Sequence, residues 1–165
     1  MKKIIVTLVL LLMLSSSAWA TDWTLTPSLV YASGHYLKWQ VLCTSNASAL
    51  TATDIMAQMT GTRALELLQG YVEGSTMMIM TVVPGTGTEI PLTTVNITLT
   101  DDEAATIYST TAVSKDAVTT GLDLSEDFNQ YPTVYKVLNL ALNDIGDAGD
   151  QVTLVFHCWR EDIVK

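Results

Sequence analysis

The two cysteines of this chain, Cys43 and Cys158, form the residue pair whose chemistry is easiest to state. In an oxidising compartment an even pair of cysteines most simply forms a disulfide. The loop that it closes would be long, with a chain-entropy contribution on the order of 4–5 kcal/mol. A metal site would need more cysteine or histidine ligands, and a catalytic thiol would need a partnered histidine. The sequence therefore predicts a Cys43–Cys158 disulfide.

Three aspartates, Asp144, Asp147 and Asp150, are interleaved with glycines in the segment NDIGDAGD. Calcium binds hard oxygen ligands on a flexible backbone, and this segment offers them. The spacing is not that of an EF-hand, however, and a turn that uses Asp and Gly at positive-φ positions has the same composition. Calcium binding and a plain connecting turn are therefore both open. The run DDE at 101–103 presents the same choice between paired carboxylates and an acidic turn.

Aromatic side chains could form a platform on which a sugar stacks, as in carbohydrate-binding β-sandwiches. Trp23, Tyr36 and Tyr131 are the candidates for such ligand stacking. Trp39 and Trp159 fall instead on predicted strands beside the cysteines, where core or rim packing accounts for them.

The histidines, His35 and His157, lie far apart in the sequence, and no motif surrounds either of them. The motifs G-x-S-x-G, H-E-x-x-H and C-x-x-C and the phosphate-binding loop are absent from the chain. The sequence therefore predicts a protein that is not an enzyme and needs no cofactor.

The first twenty residues have the pattern of a cleavable signal peptide. Lys2 and Lys3 precede an apolar run over Ile4–Met13, and Ala18-Trp19-Ala20 offers small residues at the cleavage site. A retained membrane anchor is the alternative, but ten apolar residues are far fewer than the roughly 20 that a spanning helix needs. The sequence predicts a secreted or periplasmic protein that begins at Thr21, with no membrane span in the mature chain.

Charge and composition indicate which partners the mature chain can bind and which secondary structure it favours. Loss of the two leader lysines takes the formal charge from −9 to −11, which would repel nucleic acid and anionic membranes. The mature 145 residues include 23 threonines, and β-branched side chains favour strands over helices. We therefore expect strands, and no nucleic-acid partner.

Alternation of apolar and polar residues locates the strands. Residues 36–43 and 151–159 alternate well, and each places its cysteine on the apolar face. The run TMMIMTVV at 76–83 is apolar on both faces, which is typical of a central strand or of a strand at an interface. Turn-forming residues between runs predict two hairpins, which join 76–83 to 92–100 and 134–142 to 151–159.

Two other segments are candidates for short helices. Thr53 and Asp54 are N-cap types that could begin a short helix through Met59, and residues 62–69 fit a helix or a strand equally. The predicted fold is therefore all-β (mainly β). It is a single antiparallel β-sandwich or jelly-roll-like domain over residues 21–165, with one disulfide and at most one or two short helices.

The stretch from Gly70 to Trp159 resembles small β-sandwich proteins that are virion structural components of phages and prophages. The resemblance is carried by Pro84-Gly85, by Pro91 followed by VNITLTD at 95–101, and by the closing segments 137–142 and 146–156. The chain departs from the pattern where Asp102-Glu103-Ala104 replaces the usual glycine after the Asp turn. The resemblance implies a non-enzymatic part of an assembly.

Together these features predict an exported, non-enzymatic structural or protein-interaction module. Its partners would be other proteins or further copies of itself, met through sheet faces or edges. One alternative is a small-ligand or carbohydrate-binding domain that uses exposed aromatic side chains. Another is a hydrolase in which His and Asp side chains cluster in a cleft.

Overall fold

A computed structural model describes residues 23–85, 94–113, 117–125, 131–143 and 146–161. The predicted signal peptide over residues 1–20 and the candidate calcium ligand Asp144 lie outside these residues. The described chain forms nine strands: β1 (Thr24–Ser33), β2 (Tyr36–Asn46), β3 (Leu50–Asp54), β4 (Thr76–Pro84), β5 (Val95–Thr100), β6 (Thr106–Val113), β7 (Thr119–Asp123), β8 (Asn139–Asn143) and β9 (Ala148–Trp159). A 3-10 turn (Met56–Gln58) and one α-helix, α1 (Arg63–Val72), stand between β3 and β4.

The strands form two antiparallel sheets, as the all-β prediction requires. One sheet has five strands in the order β1-β2-β9-β4-β7, and the other has four in the order β3-β8-β5-β6. The apolar run at 76–83 is β4, which lies between β9 and β7, so its predicted central position is confirmed. A strand with neighbours on both sides has no free backbone edge, which suits a segment that is apolar throughout.

The alternating patterns bury one face of each long strand. Along β2 the side chains of Leu37, Trp39, Val41 and Cys43 are buried, and the side chains between them are half-buried. Trp39 stacks on Phe156 of β9 with ring centroids 4.5 Å apart. Buried side chains from both sheets belong to one hydrophobic core, which also takes Leu68 and Val72 from α1.

Polar side chains begin the two helical segments, and one of them, Asp54, is an N-cap residue that the sequence predicts. The Asp54 carboxylate accepts hydrogen bonds from the backbone N–H of Met56 (2.9 Å) and of Leu138 (3.2 Å). The Thr62 hydroxyl accepts from the Leu65 N–H at 3.3 Å and caps α1, so the ambiguous 62–69 segment is a helix. Among the described residues, none of the helices has the length and the apolar character needed to cross a membrane.

Both predicted hairpins are wrong. β4 and β5 belong to different sheets, and so do β8 and β9. In each case the chain leaves one sheet and enters the other through the turn-rich connection. Turn residues show that the chain reverses direction, but they do not say whether the next strand pairs with the previous one or crosses the core.

The predicted disulfide is also wrong, because the register keeps the two cysteines apart. β2 and β9 are antiparallel neighbours in which Cys43 pairs with Val152 and Cys158 pairs with Leu37. Cys43 therefore lies six residues along β2 from the position opposite Cys158, a distance of about 20 Å. A disulfide needs Cα atoms within about 7 Å.

Both cysteines are free thiols buried in the core. Burial raises the pKa of the Cys43 thiol and raises that of Cys158 to about 11, although hydrogen bonds from Trp39 and Ser75 partly oppose the second shift. Because the thiolate is the reactive form, these cysteines behave as core side chains.

Candidate interaction surface

The outer face of the five-stranded sheet gathers the polar and aromatic side chains that alternate with the core residues. On β2, Tyr36 and Lys38 point away from the core because Leu37 and Trp39 point into it. The antiparallel register places Trp159 opposite Tyr36, and His157 opposite Lys38.

Five rings then form a patch at the end of this sheet where the β1–β2 turn lies. We call Tyr31, His35, Tyr36, His157 and Trp159 the aromatic patch. The Tyr31 and Tyr36 centroids are 6.1 Å apart, as are those of Tyr36 and His157. His35 stacks on Trp159 at 5.1 Å with an interplanar angle of 24°.

A short hydrogen bond links two members of the aromatic patch. The Tyr36 hydroxyl and His157 Nδ1 are 2.6 Å apart. Burial, and then the nearby Lys38, lowers the pKa of His157, which favours the neutral imidazole. Burial, and then Cys158 and Tyr31, raises the pKa of Tyr36, which keeps the hydroxyl protonated. With both groups neutral, the tautomer of the imidazole sets which of the two atoms donates in this hydrogen bond.

Backbone contacts fix the turn that carries His35. Its Nδ1 lies 2.9 Å from the Arg160 carbonyl oxygen, and the Arg160 N–H donates to the His35 carbonyl at 2.8 Å. The Arg160 guanidinium also donates to the Gly70 carbonyl of α1. Gly34 stands at φ +56° in the turn itself, a conformation that glycine adopts without strain.

Charged side chains of both signs lie near the aromatic patch. Lys38 and Arg160 are two of the four lysines and arginines that the structure describes, with Arg63 and Lys136. Glu161 lines a cavity together with Trp159 and Arg160. The net charge at this end of the sheet is therefore small.

The patch continues onto β1, an edge strand with an unusual run of exposed apolar residues. Leu29, Val30 and Tyr31 are consecutive and 44%, 46% and 54% exposed. β1 pairs with β2 alone in its sheet, so its other edge lacks a strand partner within the described ranges. An apolar groove of about 520 Å³ runs beside it, between Leu29 and residues of α1 that include Leu67 and Tyr71.

The residues predicted for ligand stacking do not meet. Trp23 precedes β1 at the end where Thr24 pairs with Thr44, whereas Tyr36 pairs with Ser33 at the opposite end. Tyr131 is exposed beside Pro132, whose carbonyl accepts the N–H of Met77 in β4. Tyr36 alone of the three belongs to the aromatic patch.

Trp23 lines a separate pocket. This second cavity has a volume of about 310 Å³ and lies between the start of β1, the β2–β3 connection, β3 and the 3-10 turn. The Trp23 indole N–H donates to the Ser48 carbonyl at 2.9 Å.

Two of the acidic candidates, Asp101 and Asp150, accept hydrogen bonds from backbone N–H groups. The Asp150 carboxylate accepts the Asp147 N–H at 2.7 Å and is buried, and Asp147 is exposed. The Asp101 carboxylate accepts the N–H groups of Glu103 and Ala105, which makes the DDE run a turn at the end of β5. Within the described part of the chain, His, Cys, Asp and Glu side chains form no group of three or more that could hold a metal ion.

The sequence did not predict that the two histidines lie together in the aromatic patch. His35 and His157 are distant in the chain, but the β2–β9 register brings both to one end of one sheet. The alternation of polar and apolar residues predicts that Tyr36 and His157 point outward, and only the pairing of their strands was unknown.

Comparisons with protein-family models, with curated proteins and with solved structures return no match for this chain.

Proposed function

We propose that this protein is an exported, non-enzymatic structural module that assembles with further copies of itself through the β1 edge and the adjoining aromatic patch. The observation that carries the proposal is the run of exposed Leu29, Val30 and Tyr31 on an edge strand. Its two sheets face each other as a β-sandwich. One hydrophobic core that draws buried side chains from both sheets supports this arrangement.

An edge strand offers unpaired N–H and C=O groups to any strand that approaches. Pro27 removes one donor from β1, and the pairing with β2 shifts register between Leu29 and Tyr31. Beyond Pro27, the six residues from Ser28 to Ser33 lack a second strand neighbour in the described part of the chain, and Ser28 and Leu29 line the groove beside α1. An antiparallel pair of two such segments is symmetric, so the same surface serves both copies.

Apolar contact would add to this backbone pairing. Burial of exposed aliphatic and aromatic side chains contributes about 25 cal/mol for each Å² removed from water. The apolar groove beside Leu29 gives side chains of a second copy a place to enter. The resemblance to phage virion structural components adds support, because such components work by assembly.

Sedimentation velocity of the mature chain, residues 21–165, over a wide concentration range tests self-association. We expect dimers that increase with concentration and that Tyr31→Lys abolishes, because charged side chains block edge pairing. Tyr135→Lys is the matched control, because Tyr135 is 68% exposed and lies outside β1 and the aromatic patch. A wild-type protein that stays monomeric, or equal loss in both variants, would contradict the proposal.

Export is tested separately with the full chain. We expect the protein in the periplasm or the medium of a bacterial host, with an N-terminus at Thr21 by Edman sequencing or mass spectrometry. Lys2→Glu and Lys3→Glu together should reduce export, because the positive region orients a signal peptide. Full-length protein retained in the cytoplasm would refute this part of the proposal.

A further inference from the structure

The pocket beside Trp23 lies at the end of the β1–β2 hairpin opposite the aromatic patch. Thr24 pairs with Thr44 there, and the chain turns through residues 47–49 into β3. The pocket is therefore separate from the β1 segment and the aromatic patch that the proposed assembly uses.

The lining of this pocket is polar but carries no charge. Asn46, Ser48, Thr51, Thr53 and Gln58 contribute amide and hydroxyl groups, and none of the described lining residues is ionisable. The groove beside Leu29 also lacks carboxylates, but its lining is mostly apolar, whereas this pocket is lined largely by amides and hydroxyls. Such a lining suits a ligand that is neutral and rich in hydroxyl groups, since a charged ligand would find no counter-charge.

The pocket also holds an aromatic ring in a fixed position. The bond from the Trp23 indole to the Ser48 carbonyl ties the ring to the β2–β3 connection. That connection is itself braced, because the Asn46 side-chain oxygen accepts from both the N–H and the hydroxyl of Ser48. Ala47 stands at φ +67°, a conformation that costs energy for any residue with a Cβ and persists only when its surroundings impose it.

We propose that this pocket binds one sugar unit of a neutral glycan. The Trp23 indole packs against the apolar C–H face of the sugar ring, and the Asn46 and Gln58 amides bond to its hydroxyls. The volume of about 310 Å³ is at the small end of ligand pockets, roughly 300–1,000 Å³, which fits a single unit better than a long chain.

Calorimetry and saturation-transfer NMR of the mature chain test this site. The probes are glucose, galactose, mannose and N-acetylglucosamine, with glucuronate as the anionic counterpart. We expect saturable binding of at least one neutral sugar in the roughly millimolar range or tighter, and weaker binding of glucuronate. No saturation with any of the four neutral sugars, or tighter binding of glucuronate, would overturn the proposal.

Gln58→Ala is the sharpest variant, because Gln58 is exposed and its loss should leave the fold intact. Removal of one uncharged hydrogen bond predicts roughly fivefold weaker sugar binding. Gln40→Ala, on the outer face of β2, is the matched control and should bind as the wild type does. Equal affinity of Gln58→Ala and wild type would overturn the assignment of this pocket.

The sugar site and self-association can fail independently. Tyr31→Lys should keep its affinity for sugar, since Tyr31 is absent from the pocket lining. Gln58→Ala should still dimerise.

Discussion

The inner and outer faces of the β2–β9 pair are made by the same two strands and yet have opposite chemistry. On the inner face Trp39 stacks on Phe156, and both are fully buried. On the outer face Tyr36 bonds to His157, and Trp159 is 47% exposed. Because successive side chains of a strand point to opposite faces, one segment can supply both the core and a binding surface.

Stability and the proposed assembly should therefore depend on different positions of the same strand. Substitutions at inward positions should act on the free energy of unfolding, and substitutions at outward positions should act on assembly. Two tryptophans, one on each face, allow a direct comparison.

The largest effect is expected for Trp39→Ala, which should lower the free energy of unfolding by about 3–5 kcal/mol, because it leaves a cavity in the packed core. Trp159→Ala should cost only about 1 kcal/mol, since it loses a half-exposed stack on His35. Urea unfolding followed by circular dichroism measures both. Similar losses in the free energy of unfolding for the two variants would contradict the difference between the inner and outer faces.

A smaller effect is expected for Cys43→Ser, about 1–3 kcal/mol, because a hydroxyl would be buried where Cys43 is now fully enclosed. Ellman's reagent should find no accessible thiol in the native protein and two after unfolding. Cys43→Ala should cost less than Cys43→Ser if polarity is the cause. A Cys43–Cys158 disulfide found by mass spectrometry would refute the observed register.

The smallest expected effect is a pH dependence of folding stability caused by His157 on the outer face. The folded pKa of His157 is lowered, so the unfolded chain binds more protons as pH falls through about 6.5. His157 therefore supports stability above that pH, and this contribution declines at lower pH. Thermal unfolding between about pH 7.5 and 5.5 should show the decline, and His157→Gln should flatten it. An unchanged slope in that variant would assign the dependence to other groups.

The positions of β2, β4, β5 and β9 and the two faces of β2 and β9 were predictable, because they follow from local runs of apolar and polar residues. β3 and β7 were not predicted, and β8 begins only at Asn139, inside the predicted strand 134–142. The predicted inward residues Leu37, Trp39 and Cys43 of β2 are all buried, as is Cys158 of β9. The predicted disulfide failed for a reason that alternation cannot detect. A slip of six residues is even, so it leaves every side chain on the same face.

The sequence predicted individual residues of the candidate surfaces, but not which of those residues lie together. Trp23 and Tyr36 were both candidates for ligand binding, yet they lie at opposite ends of the β1–β2 hairpin and belong to different sites. Pro27 within β1 is typical of an edge strand, and β1 is one, but the sequence did not show which strand pairs with it.

The amino-acid sequence by itself determined the long alternating strands, such as β2 and β9, and which side of each is apolar, because those properties act between residues a few positions apart. It did not determine the short strands β3 and β7. The tertiary structure decided which strands are neighbours, in what register, and which end of the sheet gathers both histidines. Those choices depend on the packing of one shared core, where segments more than a hundred residues apart, such as β2 and β9, compete for the same space.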